Sequence, residues 1–460
     1  MPVRPVSREL AELLSTTRFG ELPADVVAEA KRAILDWLGS ALAGALEPPA
    51  RMARCVVAGF GTSSEATVFG DGRASAAGAA LANGVASHIL ELDDVHKGST
   101  LHAAAPVIPA ALAVAEREHA GGRAFLLAVT LGYDAALRTG EAVNPSHYTY
   151  WHPTGTAGTF GAAAAAGSIL GLDANRMLDA LGSAGTQAAG LWEFNADGAM
   201  SKHLHPGKAA FNGVVSADLA RVGFTGATRI LEGKRGFFAA TTTSYDASRV
   251  TDGLGSRWKI VENCYKLHSC CGHTHSAIDV ATDMRADRGW CANDAVNAVE
   301  AIEIETYGPG FEIVKEMNPR TPYQAKFSIA YGVAVALLEG VAGLEQFASD
   351  RFNDAGVGDR DIAALLARTR VTVSSGLTAK YPAAWPTRVT LRLRDGGVLA
   401  AASDFPRGNP ENPVSTDALE EKLRALVSPR LGSDVAERTI DAVRGLDDCD
   451  DMATVFRDLA

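Results

Sequence analysis

The chain is short of the features that would assign a chemistry at sight. Its six cysteines, at 55, 264, 270, 271, 291 and 449, fall in no disulfide-framework spacing. A reduced thiol set in the cytoplasm is therefore the expectation. The N-terminal MPVRPVSRELAELL has no apolar run closed by small residues, so no secretory signal is expected there. Neither G-x-x-x-x-G-K-[ST] nor G-x-S-x-G occurs, which removes the common phosphate loop and the nucleophile elbow of Ser hydrolases. Gly155, Gly158 and Gly161 have the wrong spacing for a dinucleotide loop, and no strand is predicted before them. Positive charge is also scarce. Lys and Arg number 43 against 54 Asp and Glu, a net charge of −11, which argues against nucleic acid or an anionic membrane as partner. No stretch is both long and strongly apolar. Residues 153–172 carry no charge but are mostly Gly, Ala and Thr, and 103–116 (AAAPVIPAALAVAE) are similar, so both are expected as helices buried by close packing.

What is present is a soluble, globular composition, 47% hydrophobic and 21% charged, over 460 residues, long enough for two domains. The first part is helical in pattern: SRELAELLST, then PADVVAEAKRAILDWLGSALAGAL with Pro23 at a helix start and Asp25 in its first turn. ATVFG is β-like and closes at the Gly-Asp-Gly of 70–72. A small-residue helix follows over 74–90 and ends in ELDD. After about Tyr265 the pattern changes. AVEAIEIETYGPGFEIV alternates as a strand up to a Gly-Pro-Gly turn, and FSIAYGVAVALLEG is a helix stopped by Gly340. RTRVTVSSGL is a strand, and TRVTLRLRDGGVLAAASDF a strand pair turning around Asp395-Gly396-Gly397. From Thr416 the chain is helical again. The expected fold class is mainly α. Residues 1–264 read as a helical domain, 265–400 as a smaller α/β domain, and 401–460 as a helical stretch for which a return to the first domain is one option.

Scarcity makes the basic clusters informative. Residues 196–213, ADGAMSKHLHPGKAAFNG, gather Lys202, His203, His205 and Lys208 with no carboxylate after Asp197. Because Pro206 lacks an N–H and clashes with the preceding turn, 201–207 is expected to be a bent loop feeding a helix. Such a loop suits a carboxylate-bearing ligand, with His205 and Lys208 as binding groups; the bland alternative is a solvated basic loop on an acidic protein. Four more segments carry His, Lys, Arg or Tyr and few acids: 96–115, 147–172, 264–278 and 317–331. Nine of the eleven histidines lie in these segments and 200–215. Converging, they would make one cationic site for a polyanionic small molecule, with imidazoles that move protons near neutral pH. Glu91, Asp93 and Asp94 precede His96, Lys97 and His102, so a carboxylate could orient an imidazole. Cys270-Cys271-Gly272-His273-Thr274-His275 invites zinc, but adjacent cysteines seldom share a tetrahedral ion and no second ligand pair stands at a familiar spacing. No metal is expected.

Taken together these stretches resemble the MmgE/PrpD family, which includes 2-methylcitrate dehydratases, cis-aconitate decarboxylases and iminodisuccinate epimerases. The matching pieces are LANGVASHILELDDVH (81–96), LHAAAPVIPAALA (101–113), HPTGTAGTFGAAAAAGSILGL (152–172), SKHLHPGKAAFNGV (201–214), YKLHSCCGHTHSAID (265–279) and QAKFSIAYGVAVALLEG (324–340). The resemblance implies a helical domain built from both ends of the chain, an α/β lid, an active site at their interface, a homodimer and no cofactor. Asp93, His102, His152 and Lys202 match positions lining the family's active site, and Lys266 matches a lysine at the lid boundary. The next active-site histidine falls on Cys271, and of His268, His273 and His275 the one expected to replace it is His273. Val95 stands where the decarboxylases carry threonine. The implied activity is a lyase acting on a citrate-like di- or tricarboxylic acid by proton abstraction α to a carboxylate, of the dehydratase type or a decarboxylase. An epimerase of an iminodisuccinate-like diacid and a non-catalytic dicarboxylate-binding protein are the alternatives.

Overall fold

Alanine and glycine dominate the longest helices, and in the computed structural model this composition sets how closely they pack. The structure describes residues 4–459 apart from 71, 292 and 355, so Asp71 of the expected 70–72 turn and the first three positions lie outside it. The fold is mainly α. In chain order the helices that matter are α1 (Ala24–Gly44), α2 (Ala76–Ser87), α3 (Ala104–Arg117), α4 (Gly122–Val143), α5 (Pro153–Ile169) and α6 (Ser201–Arg221). The uncharged α5 is buried along nearly its whole length and packs against α3, α4 and α6. Its glycines permit this. A Cβ on Gly161 would lie 2.6 Å from both the Ala136 Cβ and the Gly132 carbonyl oxygen of α4. The helix therefore contributes backbone surface where a larger residue would hold its neighbours apart. Among the described residues no helix is long and apolar enough to cross a membrane.

Beyond Asn263 come α7 (His275–Asp287), β1 (Val299–Thr306), α8 (Ile329–Glu339), β2 (Thr369–Val373), β3 (Thr387–Leu393) and β4 (Val398–Ser403). The four strands form one sheet in the order β2-β1-β3-β4, with β1 parallel to β2 and antiparallel to β3. Alternation explains the register. Ile302 faces Leu391 and Ile304 faces Val389 on the buried side, while Glu303 and Arg392 pair at 3.0 Å on the solvent side. Gly340 ends α8 in the left-handed conformation (φ 76°), as the sequence predicts, because only glycine adopts it without strain. The Gly-Pro-Gly of 308–310 is not a turn. It opens a short helix, Gly308–Val314, with Pro309 in the first turn, where a missing N–H costs nothing.

Two further helices, α9 (Thr416–Leu431) and α10 (Ser433–Arg444), follow and pack on α1. The chain divides into two compact units. The first comprises Met1–Ile89, Asp93–Asn263 and Ser415–Ala460, and the second Leu90–Leu92 and Cys264–Val414.

Candidate active site

The first unit's site begins where α2 meets α6. A Cβ on Gly84 would lie 2.7 Å from the Gly207 Cα, and one on Gly207 would lie 2.6 Å from the Leu81 carbonyl oxygen. Two backbones thus touch. This contact overturns the expected loop at 201–207, which is instead the start of α6 and runs through Pro206 without a break. Pro206 gives up only the bond to the Lys202 carbonyl, and the loss falls next to a close helix contact that outweighs local propensity. As a helix, the stretch places Lys202 and His205 three residues apart on one face, both buried.

The chain leaving α2 supplies the other side. His88, fully buried, donates from Nδ1 to Asp93 Oδ2 at 2.6 Å. The same carboxylate oxygen is 3.4 Å from His102 Nδ1, which donates to the Asp94 carbonyl oxygen at 2.5 Å. The adjacent carboxylates therefore have different duties. Asp93 faces imidazoles, whereas Asp94 accepts from the Tyr133 hydroxyl (2.7 Å) and from the Ala104 N–H at the start of α3 (3.1 Å). Burial pushes the Asp94 carboxyl up to about 7. The loop ahead of His102 is strained, since Thr100 is β-branched yet sits at φ 50°.

His152 caps α5, immediately before Pro153, and is buried. Its Nδ1 is 3.0 Å from His205 Nδ1, so one of the pair donates and the other accepts. Ring centres are 4.8 Å apart for His88 and His102, 5.5 Å for His88 and His152, and 6.2 Å for His102 and His152. Trp192 (5.0 Å) and Phe194 (5.9 Å) wall His152. Burial first, and then the proximity of His205, His88, Lys202 and His102, hold His152 well below the usual imidazole range. Burial, then Lys208, takes His205 down to about 3. Both are neutral bases at physiological pH.

Asp93, His102, His152, Lys202 and His205 thus lie near one another. Lys208 has a different setting from the one expected for a substrate ligand. Its ammonium donates to the carbonyl oxygens of Ala189 (2.8 Å) and Gln187 (3.4 Å), tying down the segment that leads to Trp192, and burial lowers it to about 8. His96 also leaves the cluster, lying 3.7 Å from Glu141 and 3.5 Å from Glu262, which share the ammonium of Lys259. His88 was not anticipated. It is one of the two histidines outside the five segments, lone in an alanine-rich helix end, and its only signal is its spacing five residues before Asp93.

In the second unit, Lys266 is buried with Nζ 3.6 Å from Glu91 Oε2. His273 is hydrogen-bonded through Nδ1 to the Tyr307 hydroxyl at 2.5 Å and packs 4.4 Å from the Trp385 ring. Burial, then Lys266, lowers His273 to about 4. His268 donates to Asp279 (3.0 Å), and His275 to the Cys270 carbonyl oxygen (3.3 Å). Burial pushes the Cys270 thiol up to about 12, so it is no nucleophile at neutral pH. Among the described residues the groups of three or more possible metal ligands are His88, His102 and His152, and His96, Glu141 and Glu262. Neither draws on the Cys270–His275 stretch.

A buried set of imidazoles, one carboxylate and one lysine holds the group types that acid–base chemistry uses. The chain belongs to the MmgE/PrpD family: the model of its N-terminal domain matches residues 8–249, and that of its C-terminal domain residues 268–448. Similar proteins include a cis-aconitate decarboxylase-like protein of Aspergillus oryzae, 28% identical over 98% of this chain and 96% of the relative. A cis-aconitate decarboxylase of Aspergillus terreus is 27% identical over 98% of this chain and 95% of its own length. That of Homo sapiens is 27% identical over 99% and 94%.

Proposed function

We propose that the protein is a lyase acting on a citrate- or aconitate-like di- or tricarboxylic acid, moving a proton at the carbon α to a carboxylate. The observation that carries the reading is His152, a buried imidazole kept neutral beside Lys202 and within one cluster with His102, Asp93 and His88. A proton α to a carboxylate is very weakly acidic, so its removal or delivery needs both a neutral base and a cation for the developing charge. His152 serves as base. His102 serves as the partner acid, with Asp93 stabilising the positive charge its ring carries until the proton is given up. Lys202 stabilises the dianionic carboxylate of the intermediate in a site with little bulk water. His205 positions His152 through their Nδ1 contact, and His88 positions Asp93.

The chemistry ends in loss of water or of carbon dioxide according to which group departs. Relatives named cis-aconitate decarboxylases support the second, in which loss of carbon dioxide leaves the carbanion and the proton is delivered to it; in the first the proton is removed. Proton NMR in deuterium oxide with 2-methylcitrate, citrate, cis-aconitate and iminodisuccinate tests the reading. In the expected outcome, either the α-proton is lost together with water, or carbon dioxide is lost and one deuterium enters the product at the carbon α to a carboxylate. Deuterium washed into recovered iminodisuccinate alone would make the protein an epimerase. No exchange and no product with any of the four would end the lyase reading.

A further inference from the structure

We propose that His88, His102 and His152 form a three-imidazole binding site for a late divalent transition-metal ion, zinc foremost, and that loading the ion arrests the proton-transfer chemistry. One ligand nitrogen from each ring lies within 4.8 Å of the other two. Tetrahedral zinc with Zn–N bonds of about 2.0–2.1 Å places its nitrogens roughly 3.3–3.4 Å apart, so closure needs ring rotations of about an ångström. The outer contacts prepare the rings for it. His88 donates from Nδ1 to Asp93 and His102 from Nδ1 to the Asp94 carbonyl oxygen, so each ring is oriented by an outer acceptor. In the tautomer where His152 donates to His205, the third ring does the same. A ligand histidine with its other nitrogen donating to a carboxylate or carbonyl is the arrangement that fixes and strengthens metal-binding imidazoles.

A second, independent observation points the same way. His88 Nε2 is fully buried and has no hydrogen-bond partner, a state that costs free energy and asks for a ligand. The proton-transfer scheme does not use that atom. Imidazole donors favour Zn²⁺, Co²⁺, Ni²⁺ and Cu²⁺ over Mg²⁺ or Ca²⁺, which need oxygen. Asp93 offsets part of the ion's charge, and the nearby Lys202 opposes it, so the ion binds more weakly than in a dedicated structural site. The other grouped set, His96 with Glu141 and Glu262, already holds the ammonium of Lys259. With His152's lone pair on the metal, the base is gone.

The test is calorimetric titration of chelator-treated full-length protein with zinc chloride, backed by the visible spectrum of the cobalt(II) form. One saturable equivalent is expected, with cobalt bands of a four- or five-coordinate nitrogen site. H88Q and H102Q should each weaken zinc binding at least tenfold, and H119A, at an exposed histidine, should leave it unchanged. Absence of a saturable equivalent, or undiminished binding in either H88Q or H102Q, would overturn the site. If H88Q does not fold, as read by circular dichroism without metal, H102Q carries the test, because its ring is less enclosed. Zinc should also stop turnover of whichever substrate the NMR screen identifies, and EDTA should restore it. Metal binding without any lyase activity would remove the proposed function and leave this site standing.

Discussion

Two groups of His and carboxylate side chains lie in the first unit, and they are not equivalent. In one, His96 faces Glu141 and Glu262, and the ammonium of Lys259 sits 2.8 Å from the first carboxylate and 3.2 Å from the second. Opposite charges meet there, and the Lys259 N–H donates to Asp134 Oδ1 at 2.9 Å, which joins the group to the fold. In the other, His88, His102, His152 and His205 face one another across a single carboxylate, Asp93. The first group spends its charges on each other. The second keeps His152 and His205 neutral by burial and leaves chemistry available. The histidines of the second unit resemble the first group, because His268 and His275 are tied to Asp279 and to a backbone carbonyl. The number of histidines does not separate a site from a scaffold; what each ring nitrogen touches does.

The most severe way to break the comparison is to remove the groups that only the second cluster has. His152→Asn should lower kcat/KM by a factor of about 10² to 10⁴, the range for a lost general base, and Lys202→Ala by about 10² or more. Thermal unfolding should show both variants folded. Steady-state kinetics within twofold of the parent for either would dissolve the distinction. Because His152 stays neutral well below pH 6.5, its protonation should not produce an acid limb above pH 6 in the parent's rate profile.

Next comes the helix contact that assembles the cluster. Gly84→Ala forces a Cβ to within 2.7 Å of the Gly207 Cα, and backbone yields poorly. A loss of about 1–3 kcal/mol is expected, together with reduced turnover, as α2 and α6 carry His88 on one side and Lys202 and His205 on the other. Denaturant titration and kinetics on the same preparation check this. An unchanged midpoint would mean that the approach of the two helices is not limiting.

This contact also marks how far the sequence could be read. The strands, the α8 stop at Gly340 and the buried, uncharged α5 follow from alternation, from a left-handed cap and from small-residue composition, all local properties. The start of α6 does not follow, because Pro206 is a helix breaker by any local rule, and only the Gly84–Gly207 approach outweighs it. His88 was hidden for a related reason. A single histidine at the end of an alanine-rich helix carries no motif, and its meaning appears when Asp93 folds back onto it. Lys208 shows the opposite error: a lysine in a basic run that is bonded to the carbonyl oxygens of Gln187 and Ala189.

A smaller effect separates neutral from charged imidazoles by pH. In the unfolded chain His205 titrates near 6.5, while in the fold it is pushed down to about 3. Above pH 6.5 both states leave it neutral and it contributes nothing. As pH falls, the unfolded chain takes up the proton first, so stability declines by up to about 1.4 kcal/mol per pH unit until about pH 3. His205→Asn removes this dependence. The stability gap between parent and variant should therefore narrow by about 2 kcal/mol between pH 6.5 and pH 5. The Asp94 carboxyl, at about 7, works in the opposite sense and is common to both proteins. Equilibrium unfolding at the two pH values gives the difference directly. A gap that stays constant would mean that His205 is charged in the fold.

The smallest effect is expected at His119, the other histidine outside the five segments, where neither kind of cluster exists. Its side chain is 71% exposed and pairs with Asp451 at 2.9 Å, an interaction worth less than about 1 kcal/mol in solvent. Its backbone is another matter. His119 follows the end of α3 at φ 52°, and the next N–H, that of Ala120, bonds back to the Ala115 carbonyl oxygen, so the residue occupies the left-handed position that glycine fills at helix ends. His119→Gly relieves that conformation by roughly 1 kcal/mol and forfeits the surface pair. The net should be a gain of a few tenths of a kcal/mol, seen as a rise of about a degree in the thermal midpoint, with kinetics unchanged. A clear drop in stability would show that even a solvent-facing imidazole here is held by more than one partner, and would weaken the rule that contacts rather than residue type assign each histidine its role.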